Sequence, residues 1–251
     1  MAGAVSVESY AVEAVDRAEV LRYLGYSGQA LDADLDARID EVVARCLATC
    51  RPRGCVAVFD MVGREDGAAG EKDGAAGGSG EPVVRLADTP LELRGSSVAE
   101  HLDGAVAVGV MAVTVGMGVE AELRRLSLTD HVAQVIFDAA ATTAVERAAD
   151  AAEASLVARA AERGLHCNWR FSPGYGDLPL ETQPVLLAAL DAQRQLGITL
   201  TPTLLMMPTK SVTAVVGMFG EPPSTGHRSC RGCACFDYCQ LRAAGRPCWS
   251  R

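Results

Sequence analysis

The spacing of apolar side chains predicts a series of amphipathic helices. In residues 31–50, Leu35, Ile39, Val42 and Cys46 recur at intervals of three and four residues with Asp and Arg between them, which places them on one helix face. The predicted helices cover residues 16–23, 31–50, 98–102, 119–126, 130–163 and 184–196. The expected N-terminal caps are Ser96 or Ser97 for helix 98–102, Asp130 for the long alanine-rich helix 130–163, and Thr182 for helix 184–196. Gly25 and Gly197 are expected to end helices 16–23 and 184–196.

Within the long helix, the pattern places Val132, Val135, Ile136 and Val145 on one apolar face. We interpret Glu146, in the middle of this helix, as a solvent-facing residue, with a ligand-facing role as the less favoured alternative.

Short apolar runs between these helices predict strands. Residues 105–115 are the most apolar segment and are expected to form a buried central strand. The other predicted strands cover residues 55–61, 83–86, 91–93, 198–207 and 211–218. Strands and helices do not alternate strictly, so the order favours an α+β fold with a twisted mixed or antiparallel sheet flanked by helices.

The composition predicts a soluble cytoplasmic protein. Neither an apolar run of membrane-spanning length nor a basic-then-apolar leader is present, and a net charge of −9 argues against nonspecific nucleic-acid binding. Residues 64–81 are acidic, rich in Gly and Ala, and contain the pentapeptide Asp-Gly-Ala-Ala-Gly twice. We expect one domain over residues 1–226 with a disordered insertion at 64–81, followed by a distinct tail at 227–251.

The tail concentrates cysteine and positive charge. Five of the nine cysteines fall in it, at positions Cys230, Cys233, Cys235, Cys239 and Cys248, with five arginines against the single acid Asp237. Thiolates this close in sequence can converge on one metal ion or cluster, so we predict a metal site at Cys230, Cys233, Cys235 and Cys239. The spacing leaves an iron–sulfur cluster, structural zinc and a metal-free thiol function open. Cys46 and Cys50, one helical turn apart, are predicted to be core or boundary thiols.

The sequence of residues 170–179, Arg-Phe-Ser-Pro-Gly-Tyr-Gly-Asp-Leu-Pro, predicts a rigid loop whose side chains could bind a ligand. Pro173 fixes its backbone angle, and Gly174 and Gly176 allow conformations that other residues resist. Arg170 supplies a permanent cation suited to a carboxylate or phosphate, and Tyr175 supplies a phenol. An ordinary surface turn is the alternative interpretation.

Several segments together resemble a known family. Arg170-x-x-x-Gly174-Tyr175, a helix started by Pro184, then Met207-Pro208-x-x-Ser211-Val212 and Gly217 resemble the activation domain of cobalamin-dependent methionine synthase. The likeness is closer to free-standing relatives of that domain, and it is sharpest between residues 170 and 217.

The resemblance implies a site for S-adenosylmethionine (SAM). Arg170 would hold the SAM carboxylate, and the backbone of Ser172 and Gly174 would contact the methionine or adenine portion. Tyr175 would lie near the transferred methyl group and the cobalt of a cobalamin. In that family SAM methylates the cobalt after cob(II)alamin has received an electron from a flavodoxin-type partner.

The implied cobalamin would have to come from another protein. The chain has no Asp-x-His-x-x-Gly segment to ligate cobalt, so we expect a corrinoid protein or methionine synthase as partner, together with an electron donor. An iron–sulfur cluster in the tail could relay that electron. A non-catalytic metal-binding assembly or scaffold subunit is the main alternative. A corrinoid-independent SAM methyltransferase is disfavoured, since no glycine-rich nucleotide loop follows an early strand.

Overall fold

In a computed structural model, the described residues are 3–26, 28–65, 80–223, 242 and 245. The helices are α1 (Arg17–Tyr23), α2 (Ala33–Thr49), α3 (Ser96–His101), α4 (Met117–Thr129), α5 (His131–Glu162), α6 (Gln183–Ala189) and α7 (Ala192–Leu196). The strands are β1 (Ser6–Ser9), β2 (Arg53–Glu65), β3 (Val83–Leu86), β4 (Glu92–Arg94), β5 (Ala107–Thr114), β6 (His166–Cys167), β7 (Thr199–Leu200), β8 (Met206–Met207) and β9 (Ser211–Phe219).

The main sheet is antiparallel in every pairing of the described strands. Its order is β4-β3-β2-β5-β9-β6, and β1 pairs with the first part of β2. The predicted choice between a mixed and an antiparallel sheet is therefore resolved in favour of the antiparallel one, and the α+β class is confirmed. As expected, β5 is a central strand, and all eight of its residues are buried.

Both faces of the sheet are covered, which explains the unbroken apolar sequence of β5. Met111 and Val113 pack with α5 residues on one face, whereas Val108, Val110 and Ala112 pack on the other face with Leu186 and Leu190 of the α6 region. The α5 residues nearest the sheet are mostly alanines, and their small side chains let the helix approach the strands closely. None of the helices in the described part of the chain combines the length and apolar character that a membrane crossing needs.

Most helix boundaries agree with the sequence patterns. Asp16, Asp32 and Asp130 each accept a hydrogen bond from a backbone N–H at the start of α1, α2 and α5, and Gly197 ends α7 in the left-handed conformation. Cys46 and Cys50 are buried, as predicted for core thiols.

Two predicted elements around residue 200 are wrong. The helix expected over 184–196 is two helices, because Asp191 adopts a left-handed φ of 51° between α6 and α7. The strand expected over 198–207 is a hairpin of β7 and β8, with Leu204 at a φ of 63° in its turn. Thr182 precedes α6 without a capping side-chain bond.

Smaller corrections concern the insertion, the long helix and one cap. Residues 64 and 65, predicted to be disordered, extend β2, while the rest of that insertion up to residue 79 lies outside the described residues. Val132 and Val135 are about half exposed, unlike Ile136 and Val145, so the predicted apolar face of α5 is only partly correct. The N-cap of α3 is Gly95 rather than Ser96 or Ser97.

Candidate functional site

The loop at 170–179 begins at the edge of the main sheet. Next to β6, the Asn168 side chain accepts a hydrogen bond from the backbone N–H of Gly217 at 2.7 Å. Phe171 and Val215 then exchange two backbone hydrogen bonds of 2.8 Å. The chain entering the loop is thus fixed to β9, which also carries Gly217 of the sequence motif.

Inside the loop the backbone forms a tight turn. The N–H of Gly174 donates to the Leu178 carbonyl at 2.9 Å, and the N–H of Tyr175 donates to the Ser172 carbonyl at 3.1 Å. Gly174 has a φ of 89°, in the region that favours glycine. Leu178 is buried, whereas 68% of Tyr175 is exposed. The hydrogen-bonded turn fits the predicted rigid loop, and it leaves Tyr175 largely exposed.

The Arg170 guanidinium lies against three carboxylates of α5. Its nitrogens are 2.7 Å from Glu153, 2.9 Å from Asp150 and 3.5 Å from Glu146, and the Arg170 side chain is only 10% exposed. Glu146 is therefore an ion-pair partner of Arg170 and not the solvated residue that we expected. With one cation and three acids, the cluster carries an excess of negative charge.

The sequence interpretation missed Asp150 and Glu153 as neighbours of Arg170. The signal was present in the spacing, because positions 146, 150 and 153 share one face of a helix. Nothing in that spacing, however, indicated which cation would face them across the fold.

Asp177 anchors the far end of the loop to α3. Its two carboxylate oxygens accept hydrogen bonds from the backbone N–H groups of Ser96 at 2.7 Å and Ser97 at 2.8 Å. Partial burial alone would raise the pKa of Asp177, but the N–H donors of Ser97 and Ser96 outweigh it and hold the pKa below its ordinary value. Gly95 is the N-cap residue of α3, but the Asp177 carboxylate, from a distant part of the chain, accepts from the first N–H groups of the helix, as we had expected of a serine side chain.

The other end of α3 contacts the chain before the loop. His101 Nε2 lies 2.9 Å from the Trp169 carbonyl oxygen, and Asn168 Nδ2 donates to the His101 carbonyl at 2.7 Å. The His101 ring lies about 5 Å from the rings of Trp169 and Phe171. Both ends of α3 therefore contact residues that flank Tyr175.

The remaining motif residues lie along β9 and its entry. The Ser211 hydroxyl donates to the Pro208 carbonyl at 2.7 Å, and Thr213 donates to the buried Gln183 side chain at 2.9 Å. Gln183 begins α6, so the Thr213 bond connects β9 with the helix that follows the loop, while the Ser211 bond closes the turn that enters β9. The strand thereby joins the 207–212 motif to the loop motif.

A cavity of about 340 Å³ lies elsewhere, near the start of α5. Leu24, Leu35, Ile39, Val132 and Val135 contribute to its largely apolar lining. Such a lining offers few groups for a charged ligand, whereas the 170–179 loop carries both a cation and a phenol.

The predicted metal ligands Cys230, Cys233, Cys235 and Cys239 lie outside the described residues, as does Cys248. Within the described ranges, no cluster of three or more His, Cys, Asp or Glu side chains is arranged to hold a metal ion.

No protein-family model matches the chain, and no curated protein matches it. Among solved structures, the chain is similar to the crystal structure of the MetH reactivation domain bound to AdoHcy (S-adenosylhomocysteine). The alignment has a TM-score of 0.58 and 17% sequence identity, and it covers 96% of this chain and 86% of that one.

The fold is that of the MetH reactivation domain. The similarity extends over nearly the whole chain, beyond residues 170–217, where the sequence resemblance was sharpest. It confirms the resemblance at the level of fold.

Proposed function

We propose that this protein binds SAM at the 170–179 loop and serves as a reactivation factor for a cobalamin carried by another protein. The observation that carries the proposal is the position of Arg170 and Tyr175 on a hydrogen-bonded loop within the fold of the MetH reactivation domain. That domain was crystallised with AdoHcy, the product that SAM becomes when it gives up its methyl group.

Arg170 would bind the SAM carboxylate, as the sequence resemblance implies. Since its guanidinium already contacts three acids, the ligand would have to displace at least one, and Glu146 at 3.5 Å is the most distant. The α-ammonium of SAM is attached to the same carbon as its carboxylate. Binding at Arg170 would therefore bring that cation close to the acids of α5, which would compensate for the lost ion pair.

Backbone groups of Ser172 and Gly174 would complete the site. The Ser172 carbonyl and the Gly174 N–H already bond within the turn. Because the Gly174 N–H is already engaged, ligand contacts at these residues would use the Ser172 N–H or the carbonyl oxygens, each of which can accept a second hydrogen bond.

The proposed reaction transfers the methyl group of SAM to cobalt. One electron reduces cob(II)alamin to cob(I)alamin, which attacks the SAM methyl group and yields methylcobalamin and AdoHcy. This chain would hold and orient SAM, a contribution of positioning and electrostatics. The outward-facing Tyr175 suits a site completed by a docking corrinoid protein or cobalamin-dependent methionine synthase, in a cytoplasmic setting.

The cysteine tail would supply a metal site. Its closely spaced thiolates fit either an iron–sulfur cluster or zinc, and only the cluster could relay an electron from a donor protein. Absorbance at about 400 nm in anaerobically purified protein would support the cluster. Colourless protein containing stoichiometric zinc would exclude the relay.

A second function is favoured by one specific observation. Because Arg170 is paired with three acids, it could simply fasten the loop to α5 in a non-catalytic metal-binding assembly or scaffold subunit. This alternative predicts that the protein does not bind SAM and that partner capture depends on residues 227–251.

Titration calorimetry with SAM separates the two functions. The proposal predicts saturable binding by wild type, strongly weakened binding by Arg170→Ala, and intermediate binding by Arg170→Lys. Arg163→Ala is the matched control, since Arg163 forms an exposed ion pair with Asp60, and it should bind SAM normally. A wild-type protein that binds no SAM would refute the proposal, and unchanged binding by Arg170→Ala would remove Arg170 from the site.

The methyl-transfer step needs its own assay. Wild type, cob(II)alamin, titanium(III) citrate and methyl-labelled SAM are expected to give labelled methylcobalamin faster than the same mixture without protein. Tyr175→Phe should slow this reaction, whereas Tyr23→Phe, which alters a part-exposed phenol on α1, should not. No acceleration by wild type would contradict a catalytic contribution to reductive methylation of free cobalamin.

A further inference from the structure

The short helix α3 contacts the chain on both sides of Tyr175. At its N-terminal end, Ser96 and Ser97 donate to Asp177, which is about 80 residues away in sequence. At its C-terminal end, His101 contacts the backbone of Trp169 and receives a hydrogen bond from Asn168. A six-residue helix is about 9 Å long, comparable with the width of a compact turn.

Two glycines make the N-terminal contact possible. A Cβ atom on Gly95 would lie 2.5 Å from a carboxylate oxygen of Asp177, and one on Gly176 would lie 2.8 Å from the Ser97 side chain. Both glycines also have positive φ, 129° and 55°. The loop and the start of α3 therefore approach each other more closely than side chains at these two positions would allow.

From these contacts we propose that α3 braces the SAM loop and that Asp177 is a positioning residue for ligand binding. This inference rests on the proposed function. Asp177 acts through the backbone of the loop, because its oxygens bond to α3 and hold Gly176 and Tyr175 in the conformation that receives SAM.

The expected effect follows from the loss of a bidentate cap. Without the carboxylate, the loop spends part of its time in conformations that do not bind, and the apparent dissociation constant rises by the inverse of the competent fraction. A lost helix cap corresponds to roughly a fivefold shift in the equilibrium between binding-competent and other loop conformations, so about fivefold is the largest loss of affinity that it can cause. Asp177→Asn keeps one acceptor oxygen and should have an intermediate effect.

The test combines SAM titration with hydrogen–deuterium exchange. Asp177→Ala should bind SAM more weakly, by up to about fivefold, and the amides of Gly174, Tyr175 and Leu178 should exchange faster than in wild type. Asp32→Ala is the matched control, because Asp32 caps α2 by accepting from the Leu35 N–H at 2.9 Å. This control should lose thermal stability yet keep wild-type SAM affinity and loop exchange.

The outcomes distinguish this inference from the proposed function. If wild type binds SAM and Asp177→Ala binds it equally well, only the positioning role is overturned. Weaker binding without faster exchange at Gly174, Tyr175 and Leu178 would also overturn it, since Asp177 would then act by another route. If wild type binds no SAM, both proposals fail.

Discussion

Removal of the Arg170 side chain should destabilise the protein by about 2 kcal/mol. Ion pairs at protein surfaces contribute roughly 0.2–1 kcal/mol each, and Arg170 forms three of them while being only 10% exposed. The acids are 21–42% exposed, so solvent screens them partly and the full cost of an unpaired buried charge does not apply. Arg170→Ala also leaves three like charges on one face of α5, which repel one another.

Chemical denaturation of wild type and Arg170→Ala measures this loss. Arg163→Ala is the control, and it should lose no more than about 0.5 kcal/mol because its partner Asp60 is exposed. The deficit of Arg170→Ala should shrink between about 0.1 M and 1 M NaCl, where the screening length falls from roughly 10 Å to 3 Å. A loss equal to that of the control, or one insensitive to salt, would refute the electrostatic interpretation.

Three further predictions concern the core, the cap and a thiol. Gly109→Ala should cost about 1–3 kcal/mol in the free energy of unfolding, since its Cβ would lie 3.0 Å from Leu156 and Met218 side-chain atoms; Gly63→Ala, with open space, is the control. The pKa of Asp177 is lowered from 3.8 in the folded protein, so its carboxylate should contribute its full stabilisation above pH 3.8. Chemical denaturation should show that the stability lost in Asp177→Asn disappears as the pH falls through the pKa of Asp177 in the folded protein. Burial raises the pKa of Cys167 to about 11, and mass spectrometry should therefore show slower alkylation at pH 8 than for free cysteine; equal rates would contradict this.

The long helix α5 and the central strand β5 could be predicted from sequence because local pattern and tertiary packing agree. The α5 helix has a strong cap at Asp130 and an uninterrupted helical composition, and β5 is apolar on both faces. By contrast, the left-handed residues Asp191 and Leu204 divide segments whose local pattern is continuous. No periodicity indicates such a break.

The candidate site shows the same contrast between features that local sequence predicts and features that tertiary packing decides. The chemistry of Arg170 and Tyr175 and the stiffness of their loop could be inferred from residue type, since Pro and Gly restrict or permit backbone angles locally. The partners of Arg170 on α5 and those of Asp177 on α3 depend on long-range contacts. Such contacts are fixed by the packing of the whole sheet, and they cannot be inferred from the local pattern of residues in one sequence.

The most direct test of the central claim is an experimental structure of the protein with SAM bound. The account predicts SAM at the 170–179 loop, with its carboxylate about 3 Å from the Arg170 guanidinium and at least one of the acids of α5 displaced. Density for SAM at another place, such as the apolar cavity near the start of α5, would contradict it. So would a SAM complex in which Arg170 keeps all three carboxylate partners and does not touch the ligand.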